Sequence, residues 1–395
     1  MDFRLTQEEE AFRKEVRQFF REELPKGWIG PVRETIYTRD DFWSEHKRMA
    51  RKLGAKVWLS LSWPQEYGGL ARPHMEQIVF NEETAYHRAP GVDGYGVKML
   101  APTLIFFGTD EQKKQHLGPI ARGEIAWCEG YSEPETGSDL ASVKTRAVKE
   151  GNYYVINGQK LWTTGAHRAQ WCFLLARTNP DAPKKHHGLS FFLVDLKTPG
   201  ITVRSLMDPL GRPCANEVFF ENARVPEENL VGGENNGWQV GNALLSFERS
   251  GIELVAFGRR CLDDMMGYAR SRRVSGRPLN WHPIMRQRLA EMAIESETAR
   301  LLTYRVAWMQ SRMLMPISEA VMAKVFNTEL LQRIANTGMQ LLELYGPLTE
   351  DSPWVQLSGV IAEEYINAQG WTIAGGTSEI MRTVIATSGL NMPRA

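Results

Sequence analysis

Two short segments of the chain carry residue types that could hold a flat, polar ligand. The first, residues 131–140, reads YSEPETGSDL and includes Ser132 and Ser138. Such a run of hydroxyl, acidic and glycine residues favours a turn whose backbone can approach a ligand closely. The second segment ends a strand-like run with Trp162 and Thr164, an indole beside hydroxyl groups. A flavin ring stacks on an aromatic face and hydrogen-bonds along its polar edge, so both segments fit a flavin, although a plain surface turn would explain either one alone.

A third candidate is the carboxylate of Glu248, which lies in a run from Gly237 to Ala269 that predicts one long helix. Apolar residues occur at helical spacing on both sides of it, namely Leu244, Leu245, Ile252 and Val255. A carboxylate on the apolar face of a helix is hard to ionise, so its pKa rises towards that of a useful general base. The alternative, a buried glutamate neutralised by Arg249 or another arginine, fits these residues equally well.

A glycine pair near the end of the chain is a fourth candidate. Gly375 and Gly376 free the backbone, and Thr377 or Ser378 can then cap a short helix with Glu379 in its first turn. The N–H groups at such a helix start suit a phosphate, a carbonyl oxygen or a flavin edge. Taken alone, this motif is weak, because most runs of this composition are only turns.

Composition excludes several classes of protein. The chain has 395 residues, enough for two or three domains, and its 47 basic residues balance 47 acidic ones, so no net field recruits nucleic acid or anionic membrane. The start, MDFRLTQEEE, is not a signal peptide and no stretch could span a membrane, so we expect a cytoplasmic protein. The cysteines lack paired spacing, which predicts free thiols, no disulfide framework and no metal site: Cys128, Cys172, Cys214 and Cys261.

Hydrophobic periodicity divides the chain into three predicted domains. Residues 1–124 read as helices, residues 125–232 as short strands between turns, and residues 233–395 as helices again. Several closely spaced strands predict a small barrel or sandwich in the middle domain. The predicted fold class is therefore an α+β multidomain protein, with a helical domain on each side of a β-domain.

Two local patterns predict where elements begin and turn. Thr6 and Glu9 have the spacing of a capping box, which predicts the start of the first helix. Asn157-Gly158 follows a β-rich run and predicts a hairpin turn.

Taken together, these segments resemble the acyl-CoA dehydrogenase family over essentially the whole chain. The matching motifs, in order, are WPQEYGG at 63–69, YSEPETGSD at 131–139, NGQKLWTT at 157–164, Val225-Pro226, and GGTSEI at 375–380. The ordered set is specific, whereas any single motif is not. The resemblance implies the family's fold, an N-terminal helical domain, a middle β-domain and a C-terminal four-helix bundle.

The resemblance also implies a cofactor and a reaction. Family members bind FAD and oxidise an acyl-CoA thioester: a carboxylate takes the α-proton while the β-hydride moves to flavin N5, which leaves a trans-2-enoyl thioester. Electrons then usually pass to an electron-transfer flavoprotein. By motif position, the residues that resemble cofactor contacts are Tyr131, Ser132, Ser138, Trp162, Thr164, Arg272, Thr377 and Glu379. Those that resemble substrate contacts are Ser138, Arg249, Gly375 and Gly376.

The position of the base separates branches of the family. Many members carry it immediately before the Gly-Thr pair, where this chain has Gly375, which cannot abstract a proton. A branch that handles branched, long or bulky acyl groups holds the base on a helix at a position matching Glu248. Glu248 is therefore the predicted base, and the N–H of Gly375 remains able to donate to the thioester carbonyl. Loss of a side chain at Gly375 is expected to widen the pocket for a bulky, branched, steroid-side-chain or dicarboxylic acyl group.

Other departures concern residues that family members lend to a neighbouring subunit's FAD. Arg272 is kept, but unusual residues stand at four nearby or related positions: Ser275, Pro283, Glu343-Leu344 and Ile366-Asn367. The chain's own half of the flavin site looks intact, while the half it donates looks eroded. The hypothesis is a tetramer of two such chains with two related chains, against the alternative of a homotetramer. Alternative functions are a family member with desulfinase-like thioester cleavage and a mainly structural subunit.

Overall fold

The computed structural model describes residues 3–30, 33–248, 251–274, 276–312 and 314–393, without the side chains at 33, 34 and 245–248. Backbone contacts divide the chain into two compact units. The bundle unit comprises Met1–Arg33, Pro73–Ala89 and Arg249–Ala395, and the sheet unit comprises Glu34–Arg72 and Pro90–Glu248. Each unit is described by itself below.

The element order agrees with the predicted succession of helices, strands and helices. In chain order, the α-helices are α1 (Gln7–Glu23), α2 (Asp40–Ala55), α3 (His74–Tyr86), α4 (Ala101–Phe107), α5 (Asp110–Ala121), α6 (Gly237–Glu248), α7 (Ile252–Ser271), α8 (Pro283–Ser311), α9 (Ile317–Leu342), α10 (Val360–Trp371) and α11 (Ser378–Val384). A π-helix, Gly94–Leu100, runs directly into α4. The strands are β1 (Trp127–Gly130), β2 (Arg146–Glu150), β3 (Tyr153–Lys160), β4 (Trp171–Arg177), β5 (Leu189–Asp195), β6 (Ile201–Met207), β7 (Pro213–Pro226), β8 (Leu230–Val231), β9 (Arg273–Val274) and β10 (Arg277–Pro278).

The bundle unit is built around α7, α8, α9 and α10, which share one apolar core, and α1 and α3 pack with it. The predicted capping box is confirmed: Thr6 accepts the N–H of Glu9, and Glu9 accepts the N–H of Thr6. A largely buried ion pair of the bundle unit joins Arg88, which follows α3, to Asp264 of α7. The Arg88 side chain is 2% exposed and donates to Asp264 at 3.0 Å. Asp264 also accepts from Arg260 at 2.8 Å, so α3 and α7 are tied by a shared carboxylate.

The sheet unit contains an eight-stranded sheet in the order β6-β7-β3-β2-β4-β5-β8, with β1 parallel to β4. The predicted hairpin turn at Asn157-Gly158 is wrong, because both residues lie inside β3. The pairing of β3 with β7 shifts register between Ile156 and Gly158, so the pair marks a β-bulge. Glycine is required there by close packing, since a Cβ on Gly158 would lie 2.5 Å from Oγ1 of Thr145.

The predicted single helix from Gly237 to Ala269 is also wrong. The chain forms α6 and α7 separately, and Gly251 between them has φ of +65°. A left-handed residue breaks the hydrogen-bonding pattern of a right-handed helix, and glycine adopts that conformation at little cost. Leu244 therefore shares a helix with Glu248, whereas Ile252 and Val255 belong to the next one.

Candidate active site

Tyr131 follows β1, and its side chain is part of the core of the sheet unit. The residue is 5% exposed, and its ring meets those of Phe173 and Phe191 edge-on at 5.9 and 6.4 Å between centroids. Its hydroxyl lies beside Gly241 of α6, where a Cβ would come within 3.0 Å of it. Tyr131 therefore fixes the start of the 131–140 segment against the sheet.

A buried lysine–glutamate pair joins the two predicted ligand segments. Nζ of Lys160, at the end of β3, lies 2.9 Å from the carbonyl oxygen of Tyr131 and 2.9 Å from Oε1 of Glu133. The Glu133 carboxylate also accepts the N–H groups of Lys144 at 2.6 Å and Thr145 at 2.9 Å. Each group thus has several polar partners, as a buried charge requires.

The pKa values of this pair reflect burial and mutual attraction. Burial lowers the pKa of Lys160 to about 8, because it penalises the charged amine, while the charge of Glu133 opposes this effect. Burial alone would raise the pKa of Glu133. The Lys160 ammonium and the N–H donors outweigh that effect, so the pKa of Glu133 lies below its ordinary value.

Trp162 is presented to solvent on a left-handed backbone. Its φ is +62° and it is 65% exposed, which is unusual for so large an apolar residue. Hydrogen bonds hold the chain on both sides of it: the N–H of Leu161 donates to the carbonyl of Ser132 at 2.9 Å, and the N–H of Thr163 donates to the carbonyl of Asn216 at 3.0 Å. The indole is therefore exposed because its neighbours are pinned.

Three other predicted contacts, Ser132, Ser138 and Thr164, belong to the sheet unit. Ser132 and Thr164 are half-buried and Ser138 is exposed. Oγ1 of Thr136 and Oγ1 of Thr163 are buried without a hydrogen-bond partner among the described residues. An exposed indole face with nearby hydroxyl groups in want of partners fits a flat, polar ring such as a flavin.

In the bundle unit, the predicted glycine pair forms a tight turn before α11. Gly375 has φ of +64° and Gly376 of +102°, and Oγ1 of Thr377 accepts the N–H of Ile380 at 3.2 Å as the cap of α11. Nζ of Lys324 donates to the carbonyl of Gly376 at 2.5 Å. The backbone conformation alone therefore favours glycine at both positions, which is a different reason from the expected widening of a pocket. Glu379, in the first turn of α11, is exposed.

Two further predicted residues, Glu248 and Arg272, lie at helix ends. Glu248 is the last residue of α6 and its side chain lies outside the described residues, as does all of Arg249. Arg272 caps the end of α7, is exposed, and places its guanidinium over the ring of Tyr345 at 5.7 Å from the centroid. The apolar-face argument for Glu248 keeps Leu244, which is fully buried, but loses the residues of α7.

A small, mainly apolar cavity in the sheet unit is lined by none of the predicted ligand contacts. Its lining includes His46 and Asp93. His46 stacks on Trp43 and accepts the N–H of Gly91 at 3.1 Å, and burial lowers its pKa to about 4. Burial raises the pKa of Asp93 to about 7, although it accepts three backbone N–H groups.

Sequence reasoning missed Lys160, Glu133 and Asn216. Lys160 and Glu133 lie inside the very motifs that were singled out, but a lysine at the end of a strand is normally solvated. No local pattern indicates that β3 ends inside the protein. Asn216, which is fully buried, donates Nδ2–H to the carbonyl of Thr163 at 2.8 Å. Its pairing partner lies 53 residues away, beyond the reach of local pattern.

The succession of helices, a sheet and a helical bundle, with these turn segments in order, defines a three-domain dehydrogenase. Residues 6–124, 128–223 and 235–390 match the N-terminal, middle and C-terminal domain models of acyl-CoA dehydrogenases. The chain belongs to the acyl-CoA dehydrogenase family and is an oxidoreductase of that class. The predicted family and fold class are thereby confirmed.

Relatives and solved structures agree over the full length. The chain is 34% identical to acyl-CoA dehydrogenase IpdE1 of Mycobacterium tuberculosis, over 98% of this chain and 99% of that one. A structure described as the Tcur3481-Tcur3483 steroid ACAD aligns with a TM-score of 0.91 and 32% identity, covering 100% of both chains. The ChsE4-ChsE5 complex from Mycobacterium tuberculosis aligns with a TM-score of 0.89 and 32% identity, again over 100% of both.

The described residues limit two other classes of site. No helix among them is long and apolar enough to cross a membrane, and no cluster of three or more His, Cys, Asp or Glu residues could hold a metal ion. The cysteines are free thiols, as predicted.

Proposed function

We propose that this chain introduces a double bond between Cα and Cβ of an acyl-CoA thioester, using FAD, with Glu248 as the base. The observation that carries the flavin assignment is Trp162, an exposed indole on a left-handed backbone that hydrogen bonds hold on both sides. A strained, exposed aromatic residue is retained where a ligand uses it. FAD, when bound, accepts the hydride from Cβ.

The chain's own residues then have the following roles. Trp162 offers the stacking face, and the half-buried Ser132 and Thr164 are the proposed hydrogen-bond partners of the polar edge of the ring. Thr377 and Glu379, at the start of α11, remain the proposed cofactor contacts of the bundle unit. Ser138, exposed in the turn segment, and Arg249 are proposed contacts of the coenzyme A thioester.

Glu248 is the proposed base because it is the remaining carboxylate at a family base position. Gly375 occupies the alternative position and has no side chain to accept a proton. Leu244, one turn before Glu248 on α6, is fully buried, which places apolar surface on that side of the helix end. A carboxylate in such surroundings holds its charge poorly, so it takes the α-proton more readily than a solvated one would. The N–H of Gly375 is the proposed donor to the thioester carbonyl as negative charge develops there.

The proposed acyl group is bulky, and a steroid side chain is the favoured class. Two solved structures that align over 98% or more of the chain are described as a steroid ACAD and a variant of it. The family branch with its base on the helix handles branched, long or bulky acyl groups. The glycine pair Gly375-Gly376 leaves no side chain at the loop position that many relatives fill.

We also propose that the chain assembles with a related, non-identical subunit. Glu343 stands where relatives have glycine and keeps φ of +51°, a conformation that costs a non-glycine residue. The adjacent Leu344 is 89% exposed, and Pro283 opens α8 where a glutamine is usual. Most exposed large apolar side chains of the described residues lie after residue 273, in the bundle unit. Two of the aligned solved structures are named for two components.

An electron-transfer flavoprotein is the proposed electron acceptor.

One experiment tests the chemistry and another the assembly. Anaerobic mixing of the flavin-loaded protein with a panel of acyl-CoAs, including steroid side-chain thioesters, is expected to bleach the flavin with one of them. Glu248→Gln is expected to abolish bleaching while FAD stays bound, whereas the matched control Glu253→Gln, in the first turn of α7, keeps it. Bleaching of the Glu248→Gln protein at the normal rate would place the base elsewhere.

For the assembly, native mass spectrometry of the chain purified from its own cells is expected to show a second, related subunit and fewer FAD molecules than subunits. A homotetramer with one FAD per chain would refute the heteromer while leaving the dehydrogenase proposal intact. Product analysis separates a dehydrogenase, which releases an enoyl thioester, from a relative that cleaves its thioester differently.

A further inference from the structure

The two ligand segments of the sheet unit are joined by one side chain. Lys160 is 0% exposed, and its ammonium reaches back across 29 residues to the carbonyl of Tyr131 and the carboxylate of Glu133. The next residue along, Leu161, donates its N–H to the carbonyl of Ser132. Trp162 therefore directly follows Leu161, whose backbone is hydrogen-bonded to the 131–140 segment. The residue before Leu161 is Lys160, which forms an ion pair with the same segment.

We propose that Lys160 is a positioning residue, which with Glu133 holds the 131–140 segment and Trp162 in one fixed arrangement for cofactor binding. The proposal rests on the proposed flavin function and deepens it. Lys160 itself does not touch the ligand in this scheme. It acts through the carbonyl of Tyr131 and through the turn that Glu133 begins.

Glu133 transmits the restraint into the turn. Its N–H donates to the carbonyl of Thr136 at 2.8 Å, and its carbonyl accepts the N–H of Thr136 at 3.1 Å, which closes residues 133–136 into a tight bridge. Its carboxylate meanwhile binds the backbone of Lys144 and Thr145, where the segment leaves towards β2. Charge-assisted hydrogen bonds are stronger and more directional than neutral ones. The Glu133 carboxylate thus ties the first residue of the turn to the backbone at Lys144 and Thr145, and Lys160 binds that carboxylate.

The far side of Trp162 is pinned independently. Asn216 on β7 accepts the N–H of Thr163 with its carbonyl and donates Nδ2–H to the carbonyl of Thr163 at 2.8 Å. That contact belongs to the sheet and does not involve the 131–140 segment. Loss of Lys160 should therefore leave Trp162 attached to the sheet but let its position relative to Ser132 vary. A ligand that spans both segments needs that relative position to be fixed.

The experiment compares Lys160→Met with two matched controls in the full-length chain, purified in its native assembly. Lys149→Met removes an exposed lysine of β2, in the same sheet as Lys160, whose side chain pairs with Glu227. Val194→Ala lowers the stability of the same core, since Val194 is fully buried on β5, without touching either segment. FAD is titrated into the deflavinated proteins and followed by flavin fluorescence. Hydrogen exchange of the ligand-free proteins is measured for peptides covering 131–136 and 161–164.

Lys160→Met is expected to weaken FAD binding about tenfold or more, because charge-assisted bonds to a buried carboxylate are lost. It is also expected to speed exchange at Leu161 and in residues 133–136, with neither effect in Lys149→Met. Val194→Ala should lower the melting temperature but bind FAD normally. If Lys160 acted only through overall stability, Val194→Ala would lose FAD affinity as well. Glu133→Gln keeps one acceptor oxygen, which can serve Thr145 and Lys160 but not Lys144 as well, so it should fold and show a smaller loss of FAD affinity, about threefold.

Two results would overturn the inference. One is Lys160→Met, or Glu133→Gln if Lys160→Met does not fold, binding FAD as tightly as the parent protein. The other is a loss of FAD affinity in Val194→Ala that matches its loss of stability. If the parent protein binds no FAD but Lys160→Met still speeds exchange in both segments, the proposed flavin function fails while the restraint by Lys160 is upheld.

Discussion

Replacing Gly376 with alanine tests whether the backbone imposes the glycine run before α11. Gly376 has φ of +102°, and a Cβ built on it would lie 2.3 Å from Cε of Met381, which is 4% exposed. A side chain in that backbone region costs about 1–3 kcal/mol. Pushing a buried methionine from its rotamer adds about 0.5–1.5 kcal/mol. We therefore expect Gly376→Ala to lower the free energy of unfolding of the bundle unit by about 1.5–4.5 kcal/mol.

Calorimetry of the full-length protein measures this loss, and Gly370→Ala provides the control. Gly370 lies in α10 without a positive φ, and nothing lies within 4 Å of a Cβ added there. Alanine is the better helix former, so Gly370→Ala should be neutral or stabilising by up to about 1 kcal/mol. The comparison isolates the turn from the general effect of adding a methyl group.

A double-mutant cycle separates strain from collision. Adding Met381→Ala removes the atom that the new Cβ would meet, so Gly376→Ala should cost about 1 kcal/mol less in that background. The backbone part of the cost should persist. If Gly376→Ala is as stable as Gly370→Ala in both backgrounds, the positive φ does not hold the turn, and the glycine pair must be explained by the ligand instead.

Three further predictions concern single side chains. Trp162→Ala should weaken FAD binding about ten- to a hundredfold, and Trp162→Phe much less, with stability unchanged because the indole is exposed. Arg88→Met should cost about 2–4 kcal/mol in chemical unfolding, less than a fully orphaned charge, since Asp264 keeps Arg260. His46 has its pKa lowered to about 4, so the unfolded chain binds the extra proton between pH 6.5 and 4 and stability falls as pH falls, by up to about 1.4 kcal/mol per unit. His46→Gln should flatten that slope, and Asp93, which titrates with the opposite sign, cancels in the difference between the two proteins.

Element type and order could be predicted from the sequence, because they depend on local periodicity. The capping box at Thr6 and Glu9 was found where predicted. The pattern that predicts a helix start lies within four residues, so no distant contact can alter it. The family assignment succeeded for a related reason, since it depended on several motifs in order.

Predictions failed where a single glycine had two possible meanings. Gly251 reads as a tolerated residue in an apolar helical run, yet it has a left-handed conformation and stands at the start of α7. Gly158 reads as a turn residue beside Asn157, yet close approach of Thr145 makes it a bulge inside β3. In both cases the deciding contact or dihedral comes from tertiary packing, which local composition does not contain.

The predicted site divides along the same line. The presence of Trp162 and the hydroxyl residues followed from motif content, but the left-handed backbone at Trp162 and the burial of Lys160 did not. Lysine is rarely fully buried, so composition argues against the very arrangement that the fold produces. Glu133 reaches Lys160 only because β3 pairs with β7 and the 131–140 segment folds back to the end of β3.

The interleaving of the two units has a consequence for the newly made chain. Residues 1–33 and 73–89 belong to the bundle unit, whose remaining residues begin at 249. At ribosomal speeds of about 5–20 residues per second, α1 and α3 wait about 10–40 s before α7 has been synthesised. During that time the apolar faces that carry Phe12 and Ile78 cannot pack against α7, α8, α9 and α10, because these helices have not yet been synthesised. We therefore expect the first 124 residues to aggregate when they are expressed alone.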